Sequence, residues 1–251
     1  MIPLDELKKI LGRGVSIIGC DKNGLVALEK SCGVLSHPNE NGGGRMALLA
    51  CEYDFAEQCY LHPGGGKIYL LNRLDSPVSG VILLGLNPEV AQAAKAAFEN
   101  KTVEKKYVAL VKGFPRHSSG IWRCRLRKNF VGRSIKISTG AGVYAETSYE
   151  VVESFRVHGV TLSVLNLFPL SGRTHQLRVH CSQNGLPIVG DETYGSARFN
   201  AFFLKNFGGL RLFLHAEKIS LFYEIGGRHS SFAAESSVNF FQFLEEIKNA
   251  C

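Results

Sequence analysis

The sequence predicts a single α+β domain in which long strands dominate and helices are few. Three observations carry this. Apolar and polar residues alternate, or apolar residues run unbroken, in stretches spread from Val15 to Tyr223, which is strand patterning. Helical spacing is confined to short segments near Leu4, Pro88, Thr174, Phe199 and Ser236. No internal repeat, low-complexity tract or linker divides the chain, and 251 residues suffice for one large core.

The first element is an amphipathic helix over Leu4 to Leu11, stopped by Gly12. Two short strands then flank the turn Asp21-Lys22-Asn23-Gly24, because Asn-Gly is a strong hairpin signal. His37 to Lys67 reads as irregular, with mobile loops at Gly42-Gly43-Gly44 and Gly64-Gly65-Gly66; neither triplet has the spacing of a phosphate-binding loop. The apolar run Val81 to Leu84 is a strand. Asn87 caps a helix over Pro88 to Asn100, with Pro88 at its first position and Glu89 complementing the dipole. Lys105 to Lys112 alternates as a strand. In the next strand Arg123, Arg125 and Arg127 share one face, and Trp122, Cys124 and Leu126 the other. Further strands follow at Thr147 to Phe155, Val160 to Leu167 and Leu212 to Tyr223. A helix is expected over Thr174 to Asn184, ended by Gly185, and a shorter one over Phe199 to Phe207. Ser236 or Ser237 caps a last helix through Asn249, with Phe240, Phe243, Leu244 and Ile247 as its buried stripe.

Composition narrows the function. No apolar run is long enough to span a bilayer, and the N-terminus lacks the layout of a secretory signal. The seven cysteines are scattered, with no Cys-x-x-Cys pair, and read as mostly buried free thiols in a reducing cytoplasm. The net charge is +7, and between Lys101 and Lys136 eleven Lys/Arg meet a single acid, Glu104. Tyr107, Phe114, Trp122 and Phe130 are interleaved there. Such a strip is either a solvated basic face or a track for a nucleic-acid backbone with aromatic stacking.

Several side chains are candidates for chemistry. Asp75 lies in Asn72-Arg73-Leu74-Asp75-Ser76-Pro77-Val78-Ser79-Gly80, a turn feeding a strand. Aspartate there is ordinarily a turn-former, yet Arg73 nearby favours its ionised state, and Gly80 permits a close backbone approach. Arg178 sits on the Thr174 to Asn184 helix, on a polar face with Thr174 and His175, or else as an ordinary exposed arginine. Arg173 opposes the helix dipole, which suits an anion-binding role. Tyr107 is either a core strand tyrosine or a base-stacking one. No metal spacing, serine-nucleophile elbow or dinucleotide fingerprint is present.

The Asp75 stretch, Lys105-Lys106-Tyr107-Val108-Ala109-Leu110-Val111-Lys112-Gly113, Gly172 to His180 with Pro187 to Gly195, and Leu212-Phe213-Leu214-His215-Ala216 occur in that order. Together they resemble the motifs of the RluA-type pseudouridine synthases, over about Ser16 to Leu221. Lys30-Ser31-Cys32-Gly33-Val34-Leu35-Ser36-His37-Pro38 looks like that family's early loop. The resemblance implies an α+β catalytic fold: a mixed, largely antiparallel sheet with flanking helices around a central cleft. It also implies that Asp75 is the catalytic aspartate, Tyr107 the tyrosine that stacks on the target base, and Arg178 the arginine paired with Asp75. Arg73 would enter the RNA helix in place of the extruded nucleotide.

On this reading the chain is an isomerase acting on ribosomal or transfer RNA, with no cofactor, no metal and no membrane, cytoplasmic and monomeric. Residues 1–251 form one catalytic domain, with 1–14 as a helical extension and no S4-type RNA-binding domain. RNA contacts are expected from Arg73, Lys105, Lys106, Arg123, Arg125, Arg127, Arg173 and His175. Three positions depart from the family: Asn72 stands where His is usual, Val78 where Thr is usual, and Ser31 where Pro is common. Asn72 and Val78 support an alternative, a catalytically impaired RNA-binding relative. A more distant one is a hydrolase using Asp75 with a second carboxylate from Glu146, Asp191 or Glu192.

Overall fold

Turn chemistry and alternation set the first elements. In the computed structural model, which describes residues 2–39, 46–131 and 134–249, helix α1 (Leu4–Lys9) precedes β1 (Val15–Cys20) and β2 (Leu25–Lys30). These strands pair antiparallel across a turn in which the Asp21 carboxylate accepts the Asn23 and Leu25 amides, each at 2.9 Å. Next come β3 (Tyr53–Asp54), β4 (Cys59–Leu61), β5 (Lys67–Leu70), β6 (Ser79–Gly85) and α2 (Pro88–Glu99). Five strands follow: β7 (Glu104–Lys112), β8 (Ser119–Val131), β9 (Ser134–Thr139), β10 (Val143–Val157) and β11 (Val160–Pro169). Helices α3 (Gln176–Gln183) and α4 (Ala197–Phe207) lead to β12 (Leu214–Ile225), β13 (Arg228–Glu235) and α5 (Phe240–Asn249). The fold is α+β, with mostly antiparallel strand pairing and few helices. No helix among the described residues is long and apolar enough to cross a membrane.

Two compact units result: Met1–Glu104 with Ala216–Val238, and Lys105–His215 with Asn239–Cys251. In the first, β6 pairs with β2 and with β5, and β5 continues through β4 to β3. β12 also neighbours β6 and carries β13. Every residue of β2 and β6 is buried. Both faces are therefore covered, and Val81 to Leu84 runs apolar instead of alternating. Helix α2 lays Val90, Ala91, Ala94 and Ala97 against Leu25, Val81, Leu83, Leu221 and Phe232. Full burial of each larger side chain contributes roughly 1.5–3 kcal/mol. The helix begins where its residues dictate: the Asn87 side chain accepts the Val90 amide at 2.9 Å.

The second unit orders its strands β7-β11-β10-β8-β9, all antiparallel. Helix α3 lies against β8, β10 and β11, and Val179 joins Leu126, Ile137 and Ala145 in a small core. Phe203 packs on Phe207 and Phe213, tying α4 down. Phe240, Leu244 and Ile247 of the stripe that the spacing predicts for α5 are buried; the Phe243 side chain lies outside the described ones.

The structure corrects several expectations. His37 to Lys67 contains two short strands and the first residue of a third, and Gly64 to Gly66 close the β4–β5 turn, with the His62 amide donating to the Gly66 carbonyl at 3.0 Å. The other glycine triplet, 42–44, lies outside the described residues. β9 and β13 were not expected. Helix α5 is capped by Asn239, whose side chain accepts the Gln242 amide at 3.3 Å, while Ser236 donates to Glu29 at 2.7 Å. The Thr174 to Asn184 helix starts later, at Gln176, because His175 adopts a left-handed conformation with φ 54°. Of the six described cysteines only Cys59 and Cys181 are buried; Cys20 ends β1 and Cys32 sits in a loop, and both are exposed.

Candidate active site

The candidate carboxylate is carried by a turn that is fastened on every side. Asp75 lies between β5 and β6, half-buried, and its carbonyl accepts the Val78 amide at 3.0 Å. Leu74 and Val78, on either side, are buried and anchor the turn. Before it, the Asn72 side chain accepts the Leu83 amide at 2.7 Å. Beneath it runs the loop after β2. The Ser36 hydroxyl donates to the Leu74 carbonyl at 2.7 Å and accepts its amide at 3.0 Å; the Tyr60 hydroxyl holds the Ser36 carbonyl at 2.8 Å. Ser76 and Gly33 exchange two bonds, Gly33 amide to Ser76 carbonyl at 2.8 Å and Ser76 hydroxyl to Gly33 carbonyl at 3.1 Å.

At the centre is Lys30, with no solvent exposure. Its ammonium donates to the carbonyls of Val34 at 2.6 Å, Ser76 at 3.0 Å and Ser31 at 3.2 Å. A buried charge is tolerated only when such partners surround it. The bond to Ser76 fixes the backbone just after Asp75, as Ser36 fixes it just before at Leu74, the preorganisation a reacting group requires. Gly80 adds a steric condition. Its φ is +115°, and a Cβ there would fall 2.1 Å from the Ala216 carbonyl oxygen, so only glycine fits. Two of the departures from the motif acquire a role in packing: Asn72 completes a strand end, and Val78 is buried where a hydroxyl would need a partner. Arg73 is exposed.

In the second unit Tyr107 is half-buried on β7, opposite Leu167. Lys105 and Lys106 precede it, also half-buried, and burial pushes the Lys105 ammonium down to about 8. Arg178 is not the exposed arginine of an ordinary surface helix. It is 5% exposed and forks onto Asp191, Nε to Oδ2 at 2.8 Å and Nη2 to Oδ1 at 2.9 Å. The Thr193 and Tyr194 amides reach the same Oδ1, each at 2.9 Å. Burial opposes ionisation of Asp191, but Arg178 and these amides outweigh it and hold the carboxyl below its usual range. The guanidinium lies 5.2 Å from the centre of the Tyr194 ring, within cation–π range.

The Tyr194 hydroxyl meets His175 Nδ1 at 2.8 Å and accepts the Ile137 amide at 2.8 Å. One tyrosine thus gathers two predicted residues, Arg178 and His175. Arg173 is exposed in the loop before α3, and that loop is shaped by buried Gln176. Gln176 Oε1 accepts the Ser171 hydroxyl at 2.7 Å and the Arg173 amide at 3.2 Å; Nε2 donates to the Glu146 carbonyl at 2.9 Å and to Thr147 at 3.0 Å. His180, one turn on, meets Thr147 at 2.9 Å and Cys124 at 3.1 Å, and burial pushes its imidazole down to about 4.

The basic strip divides. Arg123, Arg125 and Arg127 are exposed on one face of β8, as the alternation predicts. Arg123 is engaged with Glu146 at 2.8 Å, and Arg125 donates to the Gly142 carbonyl at 3.2 Å. Trp122 is buried on the other face, stacked on Tyr149 with ring centres 4.3 Å apart. Lys30, Ser36, Gln176 and Tyr194 went unassigned in the sequence, because their work is done through distant backbone. Asp191 was counted only as a weak candidate for a second carboxylate. Its position after Gly190 gave no sign of the arginine it serves.

The sequence profile of the RNA pseudouridylate synthase family matches residues 24–183. The chain belongs to that family. Among its relatives, the ribosomal large subunit pseudouridine synthase C of Vibrio vulnificus is 34% identical over 217 residues, covering 86% of this chain and 64% of the relative. The tRNA pseudouridine synthase C of Haemophilus influenzae is 31% identical over 209 residues, 80% of this chain and 84% of the relative. The solved human RNA pseudouridylate synthase domain containing 4 shares the fold with a TM-score of 0.65 at 22% identity, over 97% of this chain and 95% of that one. The segment matching the pseudouridylate synthase family contains Asp75, Tyr107 and Arg178, while Asp191 and Tyr194 lie beyond it.

Proposed function

We propose that the chain is a pseudouridine synthase acting on ribosomal or transfer RNA, working as a single catalytic domain and a cytoplasmic monomer. The observation that carries this is the Asp75 turn, pinned from Asn72 to Val78 by Lys30, Gly33 and Ser36, in a chain of this family. The reaction moves no electrons to an acceptor and no group to water. The N1–C1′ bond of uridine breaks, the uracil turns, and a C5–C1′ bond forms; the C5 proton is lost and N1 ends protonated. A cofactor is not needed for that balance.

Asp75 acts on the ribose as nucleophile or base. Arg178 orients it, a task suited to a planar guanidinium that is itself fixed by Asp191. Tyr107 stacks on the detached uracil so that it rejoins instead of escaping. The target base must first leave its stack, at a cost of roughly a few kcal/mol that is lowest in loops. Arg73, exposed beside Asp75, fills the space the base vacates. Lys105, Lys106, Arg123, Arg125, Arg127, Arg173 and His175 supply phosphate contacts.

Mapping of pseudouridine across cellular RNA, with and without the gene, tests the proposal. Loss of pseudouridine at defined ribosomal or transfer RNA positions is the expected result. An unchanged map, together with no pseudouridine formed by purified protein on total RNA, would remove it in favour of a binding-only role.

A further inference from the structure

The basic strip is not uniform, and the structure separates its engaged part from its unengaged part. β8 and β9 form a long hairpin in which Leu126 faces Thr139, Lys128 faces Ile137 and Phe130 faces Ile135. One face therefore carries Trp122, Leu126 and Ile137, which are buried, and then continues outward past the exposed Lys128 to Phe130 and Ile135. There the cover ends: Phe130 is 76% exposed and Ile135 38%. Phe130 and Ile135, paired across the strands, thus form an apolar couple left open at the hairpin end.

The charges around it point to the occupant. From Lys105 to Ala145 the chain has no acidic residue. Arg123 and Arg125, near the body of the unit, are already hydrogen-bonded within the protein. The side chains of Arg127, Lys128 and Lys136, nearer the hairpin end, make no hydrogen bond or ion pair among the described residues. An exposed aromatic with the unengaged Lys128 on its own face, and Arg127 and Lys136 on the opposite face of the same narrow hairpin, matches single-stranded nucleic acid, where bases stack and phosphates release counterions. An apolar protein partner would not call for the cations, and an acidic one would not call for an exposed ring.

We propose that the end of the β8–β9 hairpin grips the RNA outside the reacting nucleotide, with Phe130 stacked on an unpaired base, Lys128 beside it on the adjoining phosphate, and Arg127 and Lys136, on the other face, adding only to the general positive field. This rests on the RNA-directed reading above, and it moves the main RNA contact of the strip from Arg123 and Arg125 to the hairpin end.

The test is fluorescence anisotropy with the full chain and two probes: a fluorescein-labelled single-stranded 12-nucleotide RNA and the same strand in a duplex. Phe130→Ala is expected to weaken single-strand binding about tenfold, with a smaller effect on the duplex. Phe130→Tyr restores it, and Phe130→Leu does not. Lys128→Ala lowers the salt slope by about 0.7, one single-strand phosphate contact, and Lys136→Ala lowers it by less. Circular-dichroism melting is unchanged throughout, because these side chains are exposed. Three results overturn the proposal: wild-type affinity in Phe130→Ala or Phe130→Leu, no binding of either probe by the wild type, or a wild-type dimer that Phe130→Ala dissociates in sedimentation. If hairpin variants lose binding while the wild type forms no pseudouridine, the catalytic reading fails and this one stands. If the wild type turns over and Phe130→Ala binds normally, the reverse holds.

Discussion

The Lys30 ammonium donates to the Ser76 carbonyl at 3.0 Å, one peptide from the candidate catalytic aspartate and 46 residues away in sequence. Ser76 in turn accepts the Gly33 amide at 2.8 Å. The loop after β2 and the Asp75 turn are therefore one rigid piece, with a buried cation as its rivet.

Lys30→Met keeps the length of the side chain and removes the charge, taking one donor from each of three carbonyls, of which Val34's is buried and Ser76's keeps the Gly33 amide. A loss of about 2–4 kcal/mol in stability is expected, read from urea unfolding. Turnover of the remaining folded protein falls at least tenfold, because the turn is no longer fixed. Wild-type turnover in a folded Lys30→Met protein would show that Asp75 needs no such support.

Asp75→Asn preserves the shape of the turn and removes the charge. Tritium release from RNA carrying 5-³H-uridine is expected to disappear, with RNA affinity changed less than threefold. Full turnover by this variant refutes the role given to Asp75.

Arg178 and Asp191 form a buried pair, so removing one partner strands the other. Arg178→Ala is expected to cost about 3–5 kcal/mol. Arg178→Met combined with Asp191→Leu replaces the pair by apolar side chains and recovers most of that stability, but not turnover. Recovery of both would assign the arginine to structure alone.

Two imidazoles set an acid limit. Burial holds His180 and His215 down to about 4, with the Arg211 charge adding to the effect on His215. Both are then neutral in the fold while the unfolded chain takes up protons below roughly pH 6.5. Their contribution is whole above that pH and declines as pH falls toward 4, by about 2 kcal/mol per histidine between pH 6.5 and 5. Asp191, held low, adds a term that is present above its unfolded value and lost only in stronger acid. Urea titrations at pH 7 and pH 5 measure the decline, and His180→Gln is expected to halve it. Equal stability at both pH values would mean that the imidazoles ionise normally.

Local signals were legible wherever one side chain answers to its neighbours in sequence. Asn87 and Pro88 announced α2, Asn23-Gly24 the first hairpin, and the alternation around Arg123 the two faces of β8. Asp75 stood out because a carboxylate, an arginine and a glycine crowd one turn. What stayed hidden depends on pairing at a distance. The two-residue strand β3 leaves no period to read. Ser236 looked like a cap and instead bonds Glu29, 207 residues away. The chain likewise gave no hint that Arg178 is buried against Asp191, since burial is a property of the packing around α3.

Tyr194 has a mechanical consequence. Its ring underlies the Arg178 guanidinium, and its hydroxyl holds the backbone of β9 at Ile137. The hairpin and the guanidinium are thus joined through this phenol, alongside the packing of Val179 on Leu126 and Ile137 and the bond from Gln183 to Thr139 at 2.7 Å. On the proposed reading, a hairpin substitution that alters RNA binding also reaches the arginine through these links.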